Sequence, residues 1–410
     1  MFPLFQCAYI DPGTGAMLFA VLAGTVGVLR FALKGILIKI KVLLSGGKVK
    51  ESQEDVIPLV IFSEDKRYWP VFEPICRELD LLDFEVLYYT ESADDPALKC
   101  NFMHFKAEYI GTGNKPFAKL NFLKATMLLS TTPGLDVYQW VRSKDVKYYI
   151  HIPHAASEMT TYKMFGLDYY DALLLSGEFQ IKDCRDLEMI RNLPPKECVL
   201  VGIPYLDEMA ERLSDSKNRD HEKTVLLAPS WGNNSLFNTY GDELIDLLIS
   251  TGYKLIIRPH PQSFISEKNM IDRLMEKYHQ VEWNRDVDNF DVLSRSDIMI
   301  SDFSGVIFDY SLVFDKPVIT ANKDFDISKL DIWWLDRPTW TQSVINKIGP
   351  ILTEENVSSI KALIDEALED SAYSKNRREI RDAMWVYRGE GAKRVANYLV
   401  TKYDELMRFV

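Results

Sequence analysis

The sequence predicts two doubly wound α/β domains built one after the other, and three observations carry that reading. At 410 residues the chain is longer than one hydrophobic core usually serves. From Asp55 onward, short apolar runs alternate with amphipathic stretches, the pattern of parallel sheets covered by helices. A polar stretch without apolar period, Leu213 to Glu222, interrupts the alternation, which then restarts. A composition of 47% hydrophobic and 26% charged residues belongs to a folded chain.

Taken in order, residues 1–50 read as a membrane-associating segment. Ala16 to Leu29 is an unbroken run of apolar residues, Gly and Thr, and apolar character resumes beyond Arg30 and Lys34. Fourteen helical residues cover ~21 Å, short of the ~30 Å hydrocarbon core, but an extension to Ile40 reaches across if the two basic side chains snorkel. Asp11-Pro12 suits a helix start. Residues 1–29 hold no Lys or Arg, so the basic region of a secretory signal peptide is missing. The basic residues that follow the apolar run place the body on the cytoplasmic face of a cell membrane. A soluble amphipathic helix packed on the body is the alternative for this segment.

In the domain expected over 55–212, the candidate strands are Val56–Phe62, Phe84–Tyr89, Thr126–Ser130, Val146–Ile152, Ala172–Leu175 and Val199–Val201. Tyr68–Leu79 and Phe179–Asn192 are helical between them. In the domain expected over 223–350 they are Thr224–Ala228, Lys254–Arg258, Val281–Trp283, Ile298–Ser301 and Pro317–Thr320, with helices over Ser263–Lys277 and Val306–Phe314. Residues 351–410 read as a helical tail, Glu354–Leu368 and then Asn376–Leu406. Two such domains facing a cleft give the GT-B-like arrangement, with ligands at the carboxyl ends of strands.

Charge narrows the partners. Residues 1–50 carry six basic groups against one acid, Asp11, a surplus of +5, so the chain total of −12 leaves −17 on the remaining 360 residues. An acidic body excludes nucleic acid as the main partner. Five widely spaced cysteines without a CxxC pattern read as reduced thiols. The P-loop pattern, GxSxG and HExxH are absent, and Gly111-Thr-Gly113 is too short for a dinucleotide fingerprint.

Three segments set polar groups directly after apolar strands. In Lys147 to Ser157 (KYYIHIPHAAS), His154 follows a strand on the side that would hold an acceptor. His151 lies three residues away, but no third ligand with sensible spacing accompanies the pair, so no metal is expected. In Leu255 to Pro261 (LIIRPHP), prolines flank His260 and stiffen the exit of His260 and Arg258, whose guanidinium fork suits phosphate. In Asp297 to Asp309 (DIMISDFSGVIFD), a strand ends in Ser301 and Asp302 and a helix is expected from Ser304 or Gly305, where free backbone N–H groups attract phosphate. Asp302 would repel a phosphate, which assigns it to a substrate hydroxyl or to orienting a histidine.

In this order and spacing the segments resemble the CDP-glycerol glycerophosphotransferase family, the wall-teichoic-acid primases and polymerases and their relatives. The resemblance spans about residues 125 to 325 and is strongest in Arg258-Pro-His-Pro261 and Ser301-Asp-Phe-Ser304. The stretch Thr131 to Tyr138 (TTPGLDVY) and the loop Ala228 to Gly232 (APSWG) look like a membrane-linked branch. Members typically carry Trp-His-Gly-Thr around the first histidine where this chain has Pro-His-Ala-Ala, and a second serine is common where it has Gly305.

The resemblance implies a GT-B fold in which His154 is the base. His260 with Arg258, Ser301, Asp302 and Ser304 would hold the donor pyrophosphate, and Ser230 and Asp309 would join them. The activity it implies is transfer of a polyol phosphate, glycerol phosphate first among them, from a CDP-linked donor to a hydroxyl of a lipid-linked or cell-surface glycan, releasing CMP. CDP-glycerol is then the donor substrate, and no cofactor is assigned. A GT-B glycosyltransferase using a nucleotide sugar is the nearest alternative, and a membrane-tethered scaffold without activity is the second. No residue pattern specifies the polyol, the acceptor or an oligomeric state.

Overall fold

The structure, a computed structural model, describes residues 56–408 except 216–220, 287, 303, 322–326 and 370. The expected N-terminal membrane segment lies outside the described residues. Among the described residues no helix is long and apolar enough to cross a membrane.

The first sheet has seven parallel strands: β1 (Ile57–Ser63), β2 (Val86–Thr90), β3 (Phe105–Tyr109), β4 (Ala125–Ser130), β5 (Val146–His151), β6 (Ala172–Leu175) and β7 (Glu197–Leu200). Their order is β3-β2-β1-β4-β5-β6-β7, with Leu59 of β1 opposite Val86 on one side and Met127 on the other. Every residue of β4 is buried, as expected of a parallel strand covered on both faces. The second sheet is β8 (Thr224–Leu227), β9 (Lys254–Ile257), β10 (Glu282–Trp283), β11 (Ile298–Ser301) and β12 (Val318–Thr320), ordered β10-β9-β8-β11-β12. In each sheet the direction of winding reverses once, between β1 and β4 and between β8 and β11. At such reversals the outgoing loops diverge and leave a crevice.

The sequence did not single out β3. Phe105, Ala107 and Tyr109 alternate with Lys106 and Glu108, and the strand pairs only with β2 at the sheet edge. An edge strand needs no continuous apolar run. The stretch expected as one helix over Asn376–Leu406 is two, Ser371–Met384 and Gly391–Met407. Tyr387 at φ 52° and Gly389 at φ 80° break it. The Asp207 carboxylate accepts from the Gly389 and Gly391 amides (2.7 and 2.8 Å) and from Trp385 Nε1 (2.9 Å), which holds the break in place.

After the break the last helix returns to the first sheet. Val395, Ala396 and Leu399 are buried in one cluster with Leu59, Phe72 and Tyr88, and Tyr403 meets Phe84 edge-on at 5.3 Å. The second sheet has its own core, where Val225, Ile257 and Ile300 meet Leu244, Ile245 and Leu248 of the helix Leu236–Ser250. Between the sheets runs the helix Pro204–Asp215, whose Leu206 and Met209 pack with Phe308, Tyr310 and Leu312. That helix takes up the first three residues of the polar stretch expected as a linker.

Candidate active site

Both reversals open into one cleft of about 680 Å³ between the sheets. Glu64 follows β1, His154 follows β5, Ser230 follows β8 and Asp302 follows β11, and all four line it together with Trp231, His260, Ser304 and Gly305. The two histidines thus reach one space from opposite domains.

His154 sits on the loop 152–161, which three bonds tie down. The Ala156 amide donates to Tyr205 Oη (3.1 Å), Gln180 Nε2 donates to the Ser157 carbonyl (2.7 Å), and the buried Glu158 carboxylate accepts from the Thr341 amide (3.0 Å) of the opposite domain. The imidazole packs on aromatic rings, Tyr68 at 4.8 Å and Tyr162 at 6.2 Å. Burial is the main cause that pushes its pKa down to about 4, against a partial offset from a backbone group of Thr131. The ring is therefore neutral at pH 7 and able to take up a proton. Below it His151 is fully buried, bonds Tyr162 Oη at 3.3 Å and is also held neutral by burial, at about 3. Among the described residues no group of three or more His, Cys, Asp or Glu is arranged to hold a metal ion.

His260 is set differently. Its Nδ1 accepts from the Gln262 amide at 3.1 Å, so in the neutral ring the proton sits on Nε2. Burial first, then the charges of Arg67 and Arg258, bring this pKa down to about 4. A neutral imidazole fixed in that tautomer is a hydrogen-bond donor at Nε2, the role a phosphate oxygen needs. Trp231, half-exposed, leans over the ring at 6.4 Å.

The other expected residues divide. Ser230 lines the cleft with its Oγ buried and without a partner among the described residues, which leaves the hydroxyl for a ligand. Ser304 also lines it. Asp302 lines it but is 1% exposed, and its carboxylate accepts from the Ser230 amide (3.0 Å) and the Leu236 amide (3.0 Å). These bonds shape the loop after β8.

Three expected donor residues are not among those that line the cleft. Ser301 Oγ donates to the Ala228 carbonyl at 2.6 Å, inside the sheet. Arg258 spends its guanidinium on the Asn284 side chain and the Asp286 carbonyl (2.9 Å). Asp309 accepts from Tyr205 Oη at 2.8 Å, and burial raises its pKa to about 6. The helix expected over Val306–Phe314 is present as an α-turn, Val306–Phe308, that continues as a π-helix over Asp309–Val313.

Residues 185–401 match the family model described as CDP-Glycerol:Poly(glycerophosphate) glycerophosphotransferase, more than half of the chain. The chain belongs to that family. This glycerophosphotransferase-family chain is also 29% identical over 284 residues, 63% of its length and 71% of the relative's, to the teichoic acid glycerol-phosphate primase of Bacillus subtilis (strain 168). Its fold matches the wall teichoic acid polymerase TagF at a TM-score of 0.57 and 16% identity, over 94% of this chain and 99% of that one. A UDP-GlcNAc 2-epimerase from Neisseria meningitidis matches at a TM-score of 0.52 and 14% identity, over 84% of this chain and 99% of the other. These likenesses show the GT-B-like fold of two facing α/β domains.

The family match begins after His154, so the placement of that residue rests on the cleft geometry. Sequence reasoning missed Glu64, Tyr68, Tyr162, Trp231 and Glu158. Glu64 and Tyr68 follow β1 directly, so the rule that ligands sit beyond strand ends would have found them.

Proposed function

We propose that the protein transfers glycerol phosphate from CDP-glycerol to a hydroxyl of a lipid-linked or cell-surface glycan acceptor, releasing CMP, at the cytoplasmic face of a membrane. The observation that carries the reading is the pairing of two neutral histidines of opposite character across one cleft. His154 is an unprotonated acceptor on one wall, and His260 is a fixed Nε2 donor on the other. Family membership supplies the donor class, and the relatives' names supply the teichoic acid context.

In this mechanism the acceptor hydroxyl lies against His154, which takes its proton as the oxygen attacks the phosphorus that bears glycerol. Such a base is worth ~10²–10⁴ in rate. A new P–O bond to the acceptor forms and the P–O bond to the CMP phosphate breaks. CMP departs with the electron pair, and His154 retains the proton until solvent removes it. His260 Nε2–H and the Ser230 hydroxyl donate to phosphate oxygens and stabilise charge that builds on them. The basic N-terminal segment, apolar over Ala16 to Leu29, is the proposed membrane anchor.

The deciding experiment supplies CDP-glycerol and a membrane acceptor and separates the nucleotide products. CMP in step with phosphorus gained by the acceptor supports the reading. CDP as the stoichiometric product, with no phosphorus gained, refutes it and favours transfer of a sugar or polyol alone.

A further inference from the structure

The cleft has a charge problem. Glu64, Glu158 and Asp302 line it, no Lys or Arg does among the described residues, and both histidines are neutral. A pyrophosphate donor brings two further negative charges. Like charges repel strongly in a partly dehydrated cleft, so a cation has to join the site. Arg258 is committed to Asn284 and the Asp286 carbonyl.

Arg67 is placed to supply it. It lies in the turn Lys66–Tyr68 beyond β1, between Glu64, which lines the cleft, and Tyr68, whose ring touches His154 at 4.8 Å. Asp65 caps that turn through the Arg67 amide (2.8 Å) and also holds Arg67 Nε at 2.9 Å. The rest of the guanidinium fork, both Nη groups, has no partner among the described residues, and the side chain is 42% exposed. Among the described residues it is the one cation whose field acts on both His154 and His260.

We propose that Arg67 is the phosphate-binding cation of the transfer site, reaching from the acceptor-side domain to the phosphoryl group held between His154 and His260. The inference rests on the glycerol-phosphate transfer reading. Asp65 fixes one edge of the guanidinium and aims the other, so a planar fork meets the phosphoryl oxygens as the acceptor approaches.

The test uses the full chain with Arg67→Gln and Arg67→Lys, and Lys66→Gln as a control, since Lys66 pairs with Asp94 away from the cleft. Arg67→Gln should lower kcat at least 30-fold and weaken CDP-glycerol binding, measured by calorimetry, at least ten-fold. Arg67→Lys should recover part of both, and Lys66→Gln neither should change. The acid limb of the kcat/KM profile gives a readout that a structural role would not move. Charged or titratable neighbours acting on His154 are Arg67 and His151, beside the rings of Tyr68 and Tyr162; those acting on His260 are Arg67, Arg258 and Glu267. Removing the Arg67 charge lets both imidazoles protonate more easily, so the limb should move to higher pH. Turnover and affinity of Arg67→Gln within two-fold of wild type overturn the proposal, as does a loss of activity with an unmoved acid limb and a lowered Tm. A wild type that binds CDP-glycerol but releases no CMP sinks the transfer reading alone, and the binding comparison still decides Arg67. A wild type that neither binds nor turns over CDP-glycerol overturns both.

Discussion

Gly305 and Ala155 face one another across the cleft: a Cβ on Gly305 would lie 3.5 Å from the Cβ of Ala155. These are two of the positions at which the chain departs from the pattern it resembles, glycine after the first histidine and a second serine after Ser304. The two departures therefore meet in space, with a methyl added on the Ala155 wall and a hydroxymethyl removed from the Gly305 wall.

A double-mutant cycle tests that exchange. Gly305 has φ −58°, so Gly305→Ser meets no backbone penalty and should fold normally, with Tm changed by only a few degrees. The added hydroxymethyl crowds Ala155, and turnover should fall a few-fold. Ala155→Gly in the same chain should restore it. Coupling of about 0.5 kcal/mol or more in kcat/KM is expected for residues in contact. Strict additivity would mean that the two walls do not work against each other.

His154→Ala should keep the fold and the affinity for CDP-glycerol while losing ~10²–10⁴ in kcat. The pH profile carries the sharper statement. Burial holds His154 near 4, below its ordinary value of 6.5, so the folded enzyme keeps the base neutral as pH falls through the usual histidine range. kcat/KM should therefore stay level from pH 7 to about 5 and drop only as pH approaches the folded value. An acid limb centred near 6.5 in the wild type would remove His154 from the role.

His260 should respond to the geometry of its replacement. With Nδ1 held by the Gln262 amide, the useful atom is Nε2–H. A glutamine amide can place an N–H donor near that position, and alanine cannot. His260→Gln should therefore retain at least ten-fold more kcat/KM than His260→Ala, with donor affinity following the same order. Equal losses in the two variants would show that a donor at this point is not what the site uses.

Much of this was legible in the sequence because parallel strands announce themselves. Continuous apolar runs such as Leu59–Phe62 and Ile298–Ile300, each followed by polar residues, gave the strands and their ligand-bearing ends together. What failed was telling a polar residue that faces the cleft from one turned under it. Ser301 is the last residue of β11 and Asp302 the next, and a strand alternates its side chains, so neighbours point to opposite sides. Arg258 was placed by its strand-end position and Asp309 by the resemblance, and tertiary partners distant in sequence, Asn284 and Tyr205, claimed them. The break near Gly389 was hidden because its cause, Asp207, lies 182 residues earlier.

The membrane assignment has its own check. The full chain should sediment with membranes at physiological salt, since apolar insertion survives screening of its basic residues. A chain beginning at Asp55 should be soluble and still transfer to a water-soluble acceptor analogue. Full-length protein remaining in the supernatant at physiological salt counts against the anchor.

The last prediction concerns Tyr205, whose hydroxyl stands between the two domains. It donates to Asp309 Oδ1 at 2.8 Å and accepts from the Ala156 amide at 3.1 Å, two residues beyond His154. Tyr205→Phe leaves a buried amide and a half-buried carboxyl short of a partner, at a cost of about 1–3 kcal/mol. It also frees the loop that aims His154, so kcat should fall more than the donor affinity. Asp309 supplies a pH signature. Its folded pKa, about 6, lies above the ordinary carboxylate value of 3.8, with burial the main cause and the bonds from Tyr205 and Asn289 opposing it. A raised carboxyl pKa means the folded state binds the proton more tightly. The contribution to stability is then full below the unfolded value and is lost as pH rises through about 6. The loss amounts to at most about 3 kcal/mol, less what solvent screening removes. Asp309→Asn keeps an acceptor for Tyr205 but cannot ionise. Its Tm should match wild type near pH 4 and exceed it by several degrees at pH 7.5. Wild-type and Asp309→Asn Tm curves that run parallel from pH 4 to 7.5 would show that this carboxyl is not strained by its place between the domains.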